Sequence, residues 1–217
     1  MKKHIICFGD SNTHGYCADP GDCADGLLQR FNEEERYPCL LQKFLGDEYL
    51  VIEEGLPGRT TVFEDPLHEG MCGLNYIYPC LKSHEPVSLL VIMLGTNDTK
   101  ERFSANAFTI GIGMERLLKK AMSIDCWGPD GKPNILVVAP PPIGDAIDDP
   151  GMGAGCAARS KGVSAAFREV CQRLGVHFMD AAEEGITFNE IDYMHLTRRS
   201  HSLLAERLAS AIPGIIR

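Results

Sequence analysis

The sequence predicts an α/β fold, a three-layer α/β/α sandwich built on a five-stranded parallel sheet. Five short β-like runs alternate with longer segments of helical periodicity, and several runs are apolar at almost every position. A strand that is apolar throughout is buried on both faces, as in a parallel sheet covered by helices. Alternation of β and α at this spacing implies right-handed crossovers, and therefore helices on both sides of one sheet.

Strands are expected over 4–8, 49–53, 88–94, 134–139 and 176–179. The third (Leu89-Leu90-Val91-Ile92-Met93-Leu94) and fourth (Ile135-Leu136-Val137-Val138) are the most continuously apolar. Between and after them, helices are expected over 34–45, 71–82, 104–122, 156–174 and 197–211. In the third helix Phe108, Ile112, Leu117 and Leu118 fall near one face, with Glu115, Arg116, Lys119 and Lys120 mostly on others. Ser104 is its expected N-cap, and Gly175 stands where a left-handed C-terminal residue would end the fourth helix. Two long irregular stretches, 16–30 and 140–155, follow strand ends, the side on which open α/β sheets bind ligands. No repeat or linker interrupts the chain, so 217 residues read as one domain spanning 1–217.

Composition excludes more than it identifies. A net charge of −9 repels nucleic acid and anionic membrane, which leaves a small molecule as the expected partner and a homo-oligomer open. Only four apolar residues precede Gly9 after the initial lysines, too few for a signal-peptide core, and no stretch approaches a membrane span. The nine cysteines are then reduced thiols of a cytoplasmic protein. Cys17 and Cys23 share a polar loop but have no second pair or histidines at ligand spacing, so no metal is expected.

Four segments could carry chemistry. Gly9-Asp10-Ser11-Asn12 follows the first strand directly; Ser11 could be a nucleophile, or Asp10 or Ser11 a helix cap. Phosphate-loop, dinucleotide and Gly-x-Ser-x-Gly patterns are all absent, and no cofactor is implied. Gly58, after the second strand, could present a bare backbone N–H or serve a Pro-Gly turn. Asn97, in Gly95-Thr96-Asn97-Asp98, could donate to an oxyanion, or the segment could be an Asx turn with Asp98 as a cap. Asp192 precedes His195 by three residues; it could fix the imidazole tautomer or merely cap the last helix. All four sites fall at strand C-termini or helix N-termini, so one crevice can collect them.

Together Gly9-Asp10-Ser11, Gly58, Gly95-x-Asn97-Asp98 and Asp192-x-x-His195 resemble the four blocks of the SGNH hydrolases, or GDSL esterases. Glu54-Gly55-Leu56-x-Gly58-Arg59-Thr60-Thr61 is most similar to the bacterial arylesterase and acetyl-esterase branch. One position departs from the name-giving motif: Asn12 stands where GDSL has Leu. The resemblance implies a flavodoxin-like sandwich with Ser11 as nucleophile, His195 as general base and Asp192 as its orienting partner. It also implies an oxyanion hole formed by the Ser11 and Gly58 backbone N–H groups and the Asn97 side chain. The expected activity is hydrolysis of short-chain esters, acetyl or aryl, including acetylated sugars. A thioesterase or acyltransferase would use the same three residues, and a non-catalytic binding domain would have no need to retain them.

The remaining candidates carry less. His14 either lines the pocket or is a solvated loop residue. His4, His68, His84, His177 and His201 have no acid at useful spacing. Asp10 is expected to be a structural hydrogen-bond partner, and Trp127 a packing anchor.

Overall fold

The computed structural model describes residues 1–24 and 29–216. Its sheet consists of β1 (Lys3–Gly9), β2 (Tyr49–Gly55), β3 (Val87–Met93), β4 (Ile135–Ala139) and β5 (His177–Asp180), all parallel, in the order β2-β1-β3-β4-β5. The helices are α1 (Ser11–His14), α2 (Tyr37–Leu45), α3 (Gly73–Ser83), α4 (Ala107–Met122), α5 (Cys156–Ser160), α6 (Val163–Leu174) and α7 (Arg198–Ile215). Each strand lies within two residues of its expected position.

The apolar runs are explained by two cores. Ile6, Phe8, Leu90, Ile92, Ile135 and Val137 face α3, α4 and α6, whereas Ile5, Cys7, Leu89, Val91, Leu136 and Val138 face α2 and α7. Successive side chains point to opposite faces, so a strand covered on both must be apolar at every position. Each such side chain contributes about 1.5–3 kcal/mol by leaving water. After β1 the chain first moves outward to β2, then crosses back over β1 to β3. That reversal opens a crevice between the C-terminal ends of β1 and β3.

Local chemistry corrects several helix expectations. The buried stripe of α4 is Ile110, Met114, Leu117, Leu118 and Ala121, while Phe108 and Ile112 are exposed. Phe108 lies two residues, about 200° of helix, before Ile110 and cannot share its face. The N-cap of α4 is Asn106, whose side chain accepts from the Thr109 amide, and not Ser104, which has φ +50 and closes the preceding 3-10 turn. The segment 156–174 is two helices, α5 and α6, parted at Lys161-Gly162, where a Cβ on Gly162 would press on Ala107. Residues 34–36 belong to a turn before α2, in which the Glu35 carboxylate accepts the Asn32 and Ala24 amides. Gly175 has φ +68 and closes α6 as expected.

The cysteines are all unbridged and, apart from half-buried Cys39, buried; Cys17 and Cys23 pack with Phe31. Trp127 is buried in the larger core. Among the described residues no helix is long and apolar enough to cross a membrane.

His201 is fully buried between Phe31 and Tyr37, and its Nδ1 accepts from the Tyr37 amide. Burial disfavours its charged form and pulls its pKa down to about 3. The unfolded chain gains this proton near 6.5 and the folded chain only near 3, so stability falls as pH drops through that window. The slope approaches about 1.4 kcal/mol per pH unit. Buried Asp10 and Asp98, both pushed up to about 6, work in the opposite direction between their ordinary value near 3.8 and 6. Urea unfolding of the native chain and of His201→Gln between pH 7 and 4 separates the two effects. The variant is expected to lose markedly less stability on acidification; parallel curves would contradict the assignment.

Candidate active site

The first strand ends at Gly9, and Asp10 caps a single helical turn by accepting the Asn12 amide. Ser11 is therefore the first residue of a one-turn helix. At Gly55, the end of β2, a Cβ would overlap the backbone of Thr13 and His14. Only glycine lets the Ser11 turn settle against that strand.

Ser11 Oγ lies 2.8 Å from His195 Nε2, and His195 Nδ1 lies 2.6 Å from Asp192 Oδ2. These groups come from opposite ends of the chain, joined by β1 and by the loop before α7. The other Asp192 oxygen accepts the Met194 and His195 amides and the Asn189 side chain. Asp192 thus orients the imidazole and ties down the turn that carries it, but it does not cap the last helix: that cap is Thr197, whose side chain accepts the Ser200 amide. Burial pushes the Asp192 carboxyl up, but the hydrogen bond and charge of His195, with the Met194 amide and Asn189, bring it below its ordinary value. It is held as the anion that an adjacent imidazolium requires.

Gly58 and Asn97 line one cavity with Ser11 and His195. Gly58 has φ +90, a left-handed conformation that makes alanine a strained replacement. Among the described residues, neither the Ser11 nor the Gly58 N–H has an acceptor. Asn97 Nδ2 donates to buried Asp10 at 3.4 Å, which fixes the face its amide presents and leaves its second hydrogen unspent. Asp98 does not act as a cap: it is fully buried and accepts the Thr61 amide and hydroxyl, pinning the Gly58 loop to the end of β3. Three unspent donors beside a serine that hydrogen-bonds a histidine can stabilise the oxygen of an attacked carbonyl.

Residues 7–203 match the model of the GDSL-like lipase/acylhydrolase family. The chain belongs to that family. It is an SGNH-type carboxylic-ester hydrolase. Among solved structures it is similar to the aryl esterase of M. smegmatis, at 31% identity over 98% of this chain and 99% of that one, with a TM-score of 0.87. It is also similar to a carbohydrate acetylesterase from Sinorhizobium meliloti, at 33% identity over 98% and 99% of the two chains, with a TM-score of 0.86. A lipolytic G-D-S-L protein from Veillonella parvula, at 17% identity over 97% and 98% of the chains and a TM-score of 0.64, shares the fold. Among curated proteins none matches the chain.

The cavity of this hydrolase measures about 220 Å³ and receives side chains that sequence reasoning passed over. Lys100 and Arg102 both bind Asp65, whose side chain is wholly buried: Lys100 Nζ lies 3.2 Å from it, and Arg102 grips both carboxylate oxygens. His68 joins this wall, whereas His14 does not line the cavity. The signal was Lys100, three residues beyond Asn97, but its partner Asp65 comes from a distant loop. Of the acids in the two long loops, Asp149 lines the cavity, while Asp145 pairs with Lys161 and Asp22 accepts the Arg198 amide. The aspartates of these loops would repel an anionic leaving group such as coenzyme A, but at the cavity Lys100 and Arg102 stand against them. Asp25, Leu27 and Leu28 of the first loop lie outside the described residues.

Tyr16 packs its ring 4.4 Å from that of His195, closing one side of the imidazole. His84, for which the sequence offers no acid at useful spacing, bonds Glu54 on β2 at 2.9 Å, away from the cavity.

Proposed function

We propose that this esterase hydrolyses short-chain carboxylic esters, acetyl esters of aryl alcohols or sugars, through an acyl-enzyme on Ser11. The observation that carries the proposal is the unbroken hydrogen-bond relay Ser11–His195–Asp192 beside two unpaired backbone N–H groups. With Asp192 accepting at Nδ1, His195 Nε2 takes the Ser11 proton as Oγ bonds the ester carbonyl carbon. The carbonyl oxygen becomes an anion held by the Ser11 and Gly58 N–H groups and the Asn97 amide. The C–O bond to the alcohol then breaks, and the imidazolium returns the proton to the departing alkoxide. Water attacks the acyl-serine with His195 again as base, releasing the acid and restoring Ser11. The carboxylate of Asp192 stabilises the imidazolium in both halves.

The cavity supports a small acyl group. Of the aliphatic residues of the 140–155 loop, Ile143 and Ile147 pack with Cys156 and Ala157, and Met152 alone reaches the cavity wall, beside Met194. In a cavity of about 220 Å³, each methylene that extends beyond it forfeits the roughly 0.8 kcal/mol that burial would return. The aryl esterase and the carbohydrate acetylesterase that the chain resembles support the same substrate class. Comparing kcat/KM for acetyl, butyryl, octanoyl and palmitoyl p-nitrophenyl esters, beside acetylated sugars, tests this. The optimum is expected at acetyl, with a steady fall thereafter; an optimum at octanoyl or longer would overturn it.

A further inference from the structure

We propose that Asn12 is a positioning residue, whose side-chain amide clamps the loop carrying His195 onto the turn carrying Ser11. The proposal rests on Ser11 and His195 acting as argued above. Asn12 is 1% exposed, and its amide is used at both ends. Its Nδ2 donates to the Met194 carbonyl at 3.1 Å, and its Oδ1 accepts the Leu196 N–H at 2.9 Å. The two partners flank His195 on either side, so one side chain brackets the imidazole-bearing residue. The backbone N–H of Asn12 is itself fixed by Asp10. The clamp therefore runs without a gap from the end of β1, through the nucleophile turn, to both neighbours of the histidine.

The geometry makes a narrow demand on residue type. A donor and an acceptor must leave one compact planar group at the length of a single methylene, which the asparagine amide supplies from adjacent atoms. Leucine, at the corresponding place in the GDSL motif, would satisfy neither partner and would leave the buried Leu196 N–H without an acceptor. Aspartate would keep the acceptor and lose the donor. Other ties on the His195 loop act elsewhere: Asp192 and Asn189 shape the loop internally, the Gly144 N–H donates to the Tyr193 carbonyl two residues before the histidine, and Tyr16 touches the ring face without setting its distance to Ser11. A misplacement near 1 Å in a catalytic hydrogen bond costs about a hundredfold in rate, so a clamp of this kind should be read in kcat.

The test is a double-mutant cycle between Asn12 and His195, followed on p-nitrophenyl acetate. Asn12→Ala and Asn12→Leu are expected to lower kcat about 10- to 100-fold with KM nearly unchanged. In a His195→Ala background the same changes are expected to cost little, because the group they position is gone. Free imidazole supplied to His195→Ala should rescue turnover equally with and without Asn12. Asn12→Asp, which keeps size and one hydrogen bond, should fall between wild type and alanine and covers the case in which alanine does not fold. Equal losses in both backgrounds would overturn the proposal and assign Asn12 to the Ser11 turn alone. Wild-type kcat in Asn12→Ala would overturn it as well. If Ser11→Ala itself retained turnover, the serine reading would fail instead, so the two failures are distinguishable.

Discussion

Replacing Ser11 by alanine is expected to lower kcat on small esters by about 10⁴-fold or more, and replacing His195 by a similar factor. The double variant is expected to lose little beyond either single one. A base 2.8 Å from an absent hydroxyl has nothing to deprotonate, and a serine without its base is a poor nucleophile. Such non-additivity distinguishes a relay from two residues that merely line the same cavity. Neither side chain carries the fold: Ser11 sits at the cavity wall, and the backbone of its turn is held by Asp10 and Gly55. Melting temperatures close to wild type are therefore expected, and near-normal turnover in either variant would refute the relay. Asp192→Asn is less diagnostic, because that carboxylate also holds the Met194 and His195 amides.

The second large effect is expected at Asn97. Removing one donor to a developing oxyanion costs about 10²–10³ in kcat, or roughly 3–4 kcal/mol, with KM little changed. Asn97→Ala also frees a buried Asp10 oxygen, and Asp10 is already pushed up to about 6 by burial, so some loss of stability should accompany the loss of rate. Steady-state kinetics separates the two. A raised KM at constant kcat would place Asn97 in ground-state binding instead. Gly58 is a poorer probe, since alanine at φ +90 strains the loop before it tests the donor.

Much of this arrangement was legible from the sequence, for identifiable reasons. A doubly covered strand must be apolar at every position, which made the β3 and β4 runs stand out. The blocks around Ser11, Gly58, Asn97 and His195 are each local, a few residues at a strand or helix end, so spacing alone displays them. Helix faces were less legible. Phe108 and Ile112 fit an apolar stripe as well as Ile110 and Met114 do, and only packing against α6 and the sheet decides between them. Contacts between distant loops were not legible at all. Nothing near Lys100 in sequence announces Asp65, nothing near Asp98 announces Thr61, and nothing near Asn12 announces Met194 and Leu196. Those pairs exist because the chain reverses direction at β1 and gathers strand ends on one side of the sheet.

The central claim, that Ser11 is the covalent nucleophile, is tested most directly by labelling with a fluorophosphonate and locating the adduct by peptide mass mapping. One adduct is expected, on Ser11, formed in step with loss of esterase activity and strongly slowed in His195→Ala. Complete inactivation with the adduct on another residue, or full labelling of Ser11 with activity intact, would contradict it.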